Sequence, residues 1–320
     1  MTVPAEVVTF GETMAALRSA RPLRLGGSLG LSVAGAESNV AIGLARLGHR
    51  VAWIGRVGDD EPGALVLRTL RAENIDVGGA VVDRSRPTGL ILFERRLCDV
   101  VRVQYYRSGS AGGALRAADL PALTPAPAPK AAVLHITGIT PALGPDPARA
   151  TVAGAERARD AGHLVSFDVN YRARLWSAPD ARASLRPLAA MADFVFGSEA
   201  ELALLTDGTA TGAAAAADEL LSRGTRAVVV KRGAQGATSY TCDGVTAVPA
   251  HAVRVIDVVG AGDAFVSGYL SGVLDHLDEA GRLRRGAAVS AFAIGSVGDW
   301  EGLPARPELD LLDAGEETIR

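Results

Sequence analysis

The feature that most constrains the fold is the alternation of short apolar segments with longer alanine-rich segments. The short segments are apolar on both faces, which is typical of parallel strands buried between helices. Three of the longer ones are followed by a glycine where a C-terminal cap belongs. The pattern predicts a three-layer α/β/α fold with a mostly parallel central sheet. The predicted strands are Val7–Phe10, Val51–Gly55, Ala132–Thr137, Leu164–Val169, Phe194–Phe196 and Ala227–Lys231, and the predicted helices are Glu37–Leu47, Pro147–Ala161, Ala213–Ser222, Asp263–Leu277 and Glu279–Val297.

Two stretches, at about residues 14–32 and 88–110, break this alternation. Their polar and apolar residues alternate one by one, as in strands exposed on one face. We expect them to pair into a small β-sheet lid over the active site; the alternative is two ordinary surface hairpins. Residues 236–249 predict a further hairpin that turns at Asp243-Gly244. The proline- and alanine-rich residues 120–130 predict a loop.

Composition narrows the class of protein. Of the 320 residues, 48% are hydrophobic and 22% charged, which is typical of a soluble globular enzyme. The net charge of −3 argues against nucleic acid or an anionic membrane as a partner. Cys98 and Cys242 are isolated, so they predict neither a disulfide framework nor a zinc site. With no secretory signal and no apolar run of about 20 residues, we expect a cytoplasmic protein.

One segment carries the strongest chemical signal, Asp257-Val258-Val259-Gly260-Ala261-Gly262-Asp263-Ala264-Phe265. An apolar, β-prone run over residues 252–259 leads into a small-residue turn and then a helix. Glycines let backbone N–H groups face a ligand, and a helix start favours an anion. A carboxylate in such a site is unfavourable unless it handles a proton. Asp263 is therefore the candidate base of a phosphoryl-transfer enzyme; alternatively, the turn only joins two elements and Asp263 caps the helix.

This segment resembles the C-terminal signature of the ribokinase-like sugar kinases, the phosphofructokinase B-type family. Gly35-Ala36-Glu37-Ser38-Asn39-Val40-Ala41 matches the family's N-terminal signature. The resemblance runs from about Val7 to Trp300. It implies one ribokinase-like domain over residues 1–320, a lid built from the two insertions, and a homo-oligomer formed through that lid. It also implies ATP and Mg²⁺ as cofactors, with K⁺ in some relatives.

The resemblance also implies roles for the residues of the two signatures. Asp263 accepts the proton of the attacking hydroxyl, and the turn Gly260, Ala261 and Gly262 forms the anion hole for the transferring phosphate. Gly35 and Asn39 hold substrate hydroxyls, while Glu37 is interpreted as a favourable helix-dipole charge. Val259 departs from the family's frequent threonine, which removes a side-chain contact but leaves the backbone hole intact.

Further segments resemble the family's nucleotide and metal sites. Lys231-Arg232-Gly233-Ala234-Gln235-Gly236 follows a predicted strand and resembles the loop that lies along the nucleotide. Ser198-Glu199-Ala200-Glu201 stands where the family carries Asn-x-x-Glu, with Ser198 departing from asparagine. The residues assigned to the nucleotide are Asn170, Ser198, Lys231, Gly233, Gly236, Gly260 and Gly262. Glu201 is assigned to Mg²⁺ through water, and Asp257 to a monovalent cation.

Two more segments bear on the sugar. Tyr105–Ala111 and Phe167–Arg172 resemble those of 2-keto-3-deoxygluconate kinases, a branch of the family. Their substrate is a sugar acid, and the guanidinium fork matches a carboxylate. We therefore predict that Arg107 and Arg172 bind the carboxylate, helped by Tyr105 or Tyr106, with Arg172 at a buried strand end. Period-two spacing puts Tyr105 and Arg107 on one strand face and Tyr106 on the other; alternatively, Arg107 lies on a solvated face. Asp299 is predicted to reach the substrate.

The expected activity is transfer of the γ-phosphoryl group of ATP to a primary hydroxyl, with 2-keto-3-deoxygluconate as the preferred acceptor. A kinase for a neutral sugar such as fructose or ribose is the main alternative, favoured if Arg107 and Arg172 point away from the pocket. A nucleoside kinase is a further alternative. A non-catalytic sugar- or nucleotide-binding regulator is the last, and Asp263 argues against it because a pure binder needs no base there.

Overall fold

The structure of the chain is a computed structural model that describes residues 5–97, 100–122, 132–206 and 211–312. Cys98 and most of the predicted loop at 120–130 lie outside the described residues. The strands are β1 (Val7–Phe10), β2 (Met14–Ser19), β3 (Gly30–Ala34), β4 (Val51–Ile54), β5 (Arg56–Gly58), β6 (Val81–Asp83), β7 (Leu90–Leu97), β8 (Val100–Tyr106), β9 (Val133–Thr137), β10 (Leu164–Asp168), β11 (Phe194–Gly197), β12 (Ala227–Lys231), β13 (Ala237–Thr241) and β14 (Gly244–Val248). The helices are α1 (Ala36–Arg46), α2 (Glu61–Ala72), α3 (Pro145–Asp160), α4 (Ala178–Ala189), α5 (Glu199–Leu202), α6 (Ala213–Ser222), α7 (Ala261–Leu274) and α8 (Glu279–Ile294).

A central sheet of eight strands runs in the order β14-β13-β12-β11-β10-β9-β1-β4. The six strands from β12 to β4 are parallel, and the hairpin β13–β14 adds two antiparallel strands at one edge. All six predicted parallel strands are present. The hairpin turns at Cys242-Asp243, one residue before the predicted Asp243-Gly244, because Gly244 already pairs with Thr241 as the first residue of β14. Side chains of the six parallel strands are largely buried on both faces, because helices cover both sides of the sheet. The edge strand β14 is mostly exposed.

Two hydrophobic clusters form the core, one on each face of the sheet. On one face, α1, α7 and α8 pack against the strands, and the rings of Phe194 and Phe196 lie 6.0 and 5.1 Å from Tyr269 of α7. On the other face, α3, α4 and α6 pack against the alternate residues, such as Val195. This arrangement confirms the predicted three-layer fold. It also buries α7 along residues 263–273, so that its amino end meets the interior rather than solvent.

The two predicted insertions form one lid sheet, in the order β3-β2-β7-β8. Strands β2 and β7 are parallel neighbours, so the insertions pair with each other and are not separate surface hairpins. The buried face of the lid carries Met14, Ile91 and Phe93, and Val259 from the turn before α7 packs against it. The lid therefore contacts the predicted phosphate-binding turn directly.

The structure corrects the sequence prediction at residues 252–259. This β-prone run forms no strand, and Val255 and Ile256 are exposed. The sheet edge it would need is occupied by β13 and β14, and the N–H groups of Ile256 and Asp257 donate instead to the carbonyl of Ile294 at the end of α8. Propensity alone supplies no pairing partner, and tertiary context overrides it here.

Helices α2 and α4 were not predicted, although their starts carry recognisable signals. Asp60 caps α2 by accepting from the N–H of Gly63, and Ser177 caps α4 by accepting from that of Asp180. Each helix also has proline in its first turn, a common start signal. Within the described residues, no helix has both the length and the apolar character to cross a membrane.

Candidate active site

A cleft of about 720 Å³ lies between the lid and the carboxyl ends of the sheet strands. In open α/β sheets, ligands bind at this end of the strands. Most of the residues predicted for substrate and catalysis line it. A larger groove of about 890 Å³ lies at the amino ends of the strands, and none of the predicted site residues line that groove. The cleft under the lid is therefore the candidate active site.

The turn before α7 depends on a glycine that no other residue can replace without strain. Gly260 has φ +79°, in the left-handed region, and a methyl group there would lie 2.1 Å from the carbonyl oxygen of Asp299. Gly262, by contrast, lies in the first turn of the helix, where a methyl group would meet only the amine of Lys231, at 3.3 Å. The helix therefore starts against the cleft, where the N–H groups of its first turn lack partners within the helix.

Asp263 lies at the centre of this arrangement, buried in the first turn of α7. The amide of Asn39 donates to Oδ2 at 2.8 Å, and that of Asn170 donates to Oδ1 at 3.3 Å. Asn170 itself has φ +39°, a conformation that asparagine tolerates better than most residues. Burial raises the pKa of Asp263 to about 7, although the bond from Asn39 lowers it. A carboxylate that titrates near neutral pH is suited to accept a proton.

A half-buried cation, the ammonium group of Lys231, lies next to the turn. Nζ of Lys231, at the end of β12, is 2.7 and 2.8 Å from the two carboxylate oxygens of Asp168, at the end of β10. Burial disfavours the charged amine, but Asp168 and Glu201 outweigh that effect and raise the pKa of Lys231. The amine therefore stays protonated beside Gly262. Asp168 was not among the predicted site residues, although a carboxylate that ends a buried strand was a usable signal.

Only some of the residues predicted to bind the nucleotide and the metal line the cleft. Glu201 lines the cleft, and its oxygens accept from the N–H of Tyr171 at 2.9 Å and from the N–H and hydroxyl of Ser198 at 2.7 and 2.9 Å. Ser198 is thus engaged in a helix cap and does not line the cleft. Gly233 and Gly236 lie in the loop after β12, also outside the lining, with φ +56° and +86°.

Arg107 lines the cleft but already has an acidic partner. Its Nε donates to Oε2 of Glu12 at 2.6 Å, and the hydroxyl of Ser110 contacts the other carboxylate oxygen. Tyr105 lies on the same strand face, with its ring 5.6 Å from the guanidinium, as the spacing predicted. Tyr106 is 58% exposed and lies outside the cleft lining, so of these two tyrosines only Tyr105 faces the cleft. Glu12, which is buried two residues after the end of β1, was not predicted from the sequence.

Arg172 also lines the cleft, but its predicted burial is wrong. It lies in the loop after β10 and is exposed, and its side chain has no hydrogen-bond partner among the residues that the structure describes. The chain turns away from the sheet after Asn170, and this brings the side chain to the mouth of the cleft. Its guanidinium is therefore available to a ligand in a way that the Arg107 guanidinium is not.

Two further acidic residues, Glu37 and Asp299, line the cleft, and a third, Asp257, lies behind its wall. Glu37, interpreted above as a helix-dipole charge, is buried and accepts from the hydroxyls of Thr137 at 2.7 Å and Thr140 at 2.6 Å. Asp299 lines the cleft as predicted, and burial raises its pKa to about 6. Asp257 does not line it and faces the guanidinium of Arg18, as Asp299 also does. Gly35 lines the cleft beside Glu12, where a methyl group would lie 2.6 Å from the Glu12 carbonyl oxygen.

Comparisons with known proteins agree with this geometry. The sequence matches the PfkB family, the pfkB family carbohydrate kinases, over residues 4–306, and the chain belongs to that family. It is 37% identical to the 2-dehydro-3-deoxygluconokinase of Bacillus subtilis (strain 168), over 98% of this chain and 97% of that protein. A PfkB protein from Polaromonas sp. JS666 has a solved structure with TM-score 0.83 and 34% identity, over 96% of this chain and 99% of that one. The fructokinase of Xylella fastidiosa, solved with bound ATP, has TM-score 0.84 and 27% identity, over 98% and 100%. The predictions of a ribokinase-like fold and a carbohydrate kinase are confirmed.

The burial of Asp263 predicts a pH-dependent stability difference. Its folded-state pKa of about 7 exceeds the ordinary 3.8, so the folded protein holds this proton when the unfolded chain has released it. The stability from the protonated form is therefore lost as pH rises from about 4 towards 7. Asp263→Asn should stabilise the protein more at pH 8 than at pH 5, by roughly 1 to 3 kcal/mol in unfolding free energy at about 1.4 kcal/mol per pKa unit. Denaturant unfolding of both proteins at the two pH values measures this, and an equal difference at both would contradict it.

The two glycines of the turn should respond differently to alanine. Gly260→Ala places a methyl group against the Asp299 carbonyl in a left-handed conformation. It should therefore cost roughly 1 to 3 kcal/mol of stability. Gly262→Ala, the matched control, adds a methyl group at a helical position and should cost less than about 1 kcal/mol. Melting temperatures of the two variants decide; equal destabilisation would show that the conformation of Gly260 is not the constraint.

Proposed function

We propose that this carbohydrate kinase transfers the γ-phosphoryl group of ATP to the primary hydroxyl of 2-keto-3-deoxygluconate, giving the 6-phosphate, with the chain acting as one kinase unit. The observation that carries the proposal is the composition of the cleft. A buried carboxylate at a helix start, Asp263, faces the same space as the guanidinium groups of Arg107 and Arg172. The buried carboxylate fits phosphoryl transfer to a hydroxyl, and the two guanidinium groups fit an acceptor that carries a carboxylate.

In the proposed mechanism, the oxygen of the substrate hydroxyl forms a bond to the γ-phosphorus. As this bond forms, the carboxylate of Asp263 accepts the proton of that hydroxyl. The bond from that phosphorus to the bridging oxygen of ADP breaks at the same time, in line with the attack. Asn39 and Asn170 hold the carboxylate through one oxygen each. The N–H groups of the turn Gly260–Gly262 and the ammonium group of Lys231 stabilise the charge on the moving phosphate.

The nucleotide is assigned to the loop that begins at Lys231, with Gly233, Gly236, Asn170 and Ser198 around it. Mg²⁺ in proteins commonly uses one or two carboxylates, several waters and the phosphates of the substrate. The cleft fits an ion held mainly by water and phosphate oxygens and not one held by protein ligands alone. Among the described residues, no group of three or more acidic, histidine or cysteine side chains is placed to bind a metal ion. Glu201 would hold the ion through water, because both of its oxygens already accept protein hydrogen bonds. When bound, the ion would neutralise charge on the phosphates.

The acceptor is inferred from the positive charges of the cleft that have no acidic partner before a ligand binds. Arg107 is already paired with Glu12, so its charge is largely neutralised. Arg172 has no such partner in the described part of the chain, and its planar donors match a carboxylate. We therefore assign the main contact with the substrate carboxylate to Arg172, supported by Arg107 and Tyr105. The family resemblance to a 2-dehydro-3-deoxygluconokinase supports the same choice.

A second candidate is a kinase for a neutral sugar. The pairing of Arg107 with Glu12 favours it, because one of the two predicted carboxylate ligands then needs no further anion. The likeness to a fructokinase also supports it. Against it, both arginines face the cleft. A non-catalytic regulator is disfavoured, since burying a carboxylate costs stability that a simple binder has no reason to lose.

Replacing the base should remove turnover. Asp263→Asn keeps the shape of the turn and both amide neighbours but cannot accept the proton, so kcat should fall about 10² to 10⁴-fold. A coupled assay of ADP release measures the loss, and the affinity for ATP measured without sugar is the control. More than a tenth of wild-type activity in the variant would contradict the assignment.

Removing the unpaired guanidinium should separate a sugar acid from a neutral sugar. Losing one partner of a close charge pair costs about 2 kcal/mol at the low end, so Arg172→Ala should lower kcat/KM for 2-keto-3-deoxygluconate roughly 30-fold. Arg107→Ala is less informative, because it also leaves Glu12 buried without its cation. The matched control is Arg68→Ala, on the exposed side of α2.

The same proteins are assayed on 2-keto-3-deoxygluconate, fructose and ribose. The low activities on fructose and ribose should be unchanged in Arg172→Ala. A wild-type preference for fructose or ribose, or full activity of Arg172→Ala on the sugar acid, would overturn the substrate assignment while leaving the kinase assignment intact. Homo-oligomerisation through the lid and a cytoplasmic location stay predictions from the sequence.

A further inference from the structure

Arg18 reaches from the lid strand β2 into the wall behind the phosphate-facing turn. Its Nη1 lies 3.6 Å from the carboxylate of Asp257, and its Nη2 contacts the carboxylate of Asp299. The guanidinium also stacks over the ring of Phe93 at 3.9 Å. The two carboxylates are buried, at 4% and 8% side-chain exposure, so the only cation that the described contacts place between them is Arg18.

Both carboxylates belong to segments that hold Gly260 in place. Asp257 accepts the N–H of Val259 at 3.1 Å, one residue before Gly260. Asp299 packs its carbonyl oxygen against Gly260 so closely that no side chain fits between them. Two buried anions on either side of this turn would repel each other and would be costly to desolvate without a cation. The guanidinium removes that repulsion and ties the lid to the turn.

The residues around Asp257 do not fit the monovalent cation that the sequence analysis assigned to it. One of its oxygens already accepts the N–H of Val259, and the other faces the guanidinium. We propose that Arg18 is a positioning residue that supplies the positive charge between Asp257 and Asp299, so that the turn before α7 needs no bound potassium ion. The consequence for catalysis rests on the proposed kinase function; the consequence for stability does not.

The test replaces Arg18 and exchanges the cation of the buffer. Wild type, Arg18→Ala and Arg18→Lys are compared in potassium chloride and in tetramethylammonium chloride at equal ionic strength. The matched control is Arg21→Ala, which removes an exposed arginine from the segment after β2, outside the cleft. For each protein, kcat and KM are measured on 2-keto-3-deoxygluconate, and the melting temperature is measured without substrate.

Wild type and Arg21→Ala should show the same kcat and melting temperature in both salts. Arg18→Ala should lose tenfold or more in kcat in tetramethylammonium, as expected when a buried charge loses its partner, with KM for the sugar changed much less. Potassium should restore part of its kcat and raise its melting temperature. Arg18→Lys keeps a charge at this position and should be intermediate in tetramethylammonium.

Three results would overturn the proposal. One is a wild type whose kcat or melting temperature falls when potassium is replaced; another is an Arg18→Ala protein with wild-type kcat in tetramethylammonium. The third is an Arg18→Ala protein whose kcat and melting temperature are the same in potassium chloride and in tetramethylammonium chloride. Should Arg18→Ala not fold, the same criteria apply to Arg18→Lys. If no sugar is phosphorylated, the proposed function fails, and the melting temperatures alone still decide the role of Arg18.

Discussion

A carboxylate buried at the start of a helix needs hydrogen-bond donors or a cation nearby to stabilise its negative charge. For Asp263 these groups come from three other elements of the fold. Asn39 comes from α1 and Asn170 from the end of β10, while Lys231 comes from β12. None of these contacts exists within α7 itself. The parallel sheet brings Asn170 and Lys231 together, because the carboxyl ends of its strands lie at one edge. The central sheet thus positions the groups around Asp263, a base whose pKa is about 7.

In and around the cleft, three cations are each held by buried acids. Lys231 is held by Asp168, Arg107 by Glu12, and Arg18 by Asp257 and Asp299. Such pairs fix the direction of each long side chain, since a buried acid left alone would be costly. The charged groups therefore keep their places before any ligand enters, which favours electrostatic stabilisation of the transferred group. The lid contributes to two of these pairs, through Arg18 and at the end of β8 through Arg107.

The sequence supported the fold and the reaction class for identifiable reasons. Buried parallel strands need apolar residues on both faces, so Phe194–Phe196 and Ala227–Lys231 were recognisable without any knowledge of their partners. The small-residue turn and Asp263 lie next to each other in the chain, so their joint chemistry was also readable. The β-prone residues 252–259 were misjudged because strand formation needs a free neighbouring edge, and no local pattern reports whether one is left.

The sequence by itself determined the three-layer α/β class, the lid strands, the glycine turn with its acid, and membership of a kinase family, because each is written in contiguous residues. Only the tertiary structure decided which charges meet. Glu12 and Arg107 are 95 residues apart, and Arg18 and Asp299 are 281 apart. The structure also moved Arg172 from an expected buried strand end to the open mouth of the cleft, and it put a guanidinium where a potassium ion was expected. Electrostatic partners depend on distances in space, which the order of residues along the chain does not encode.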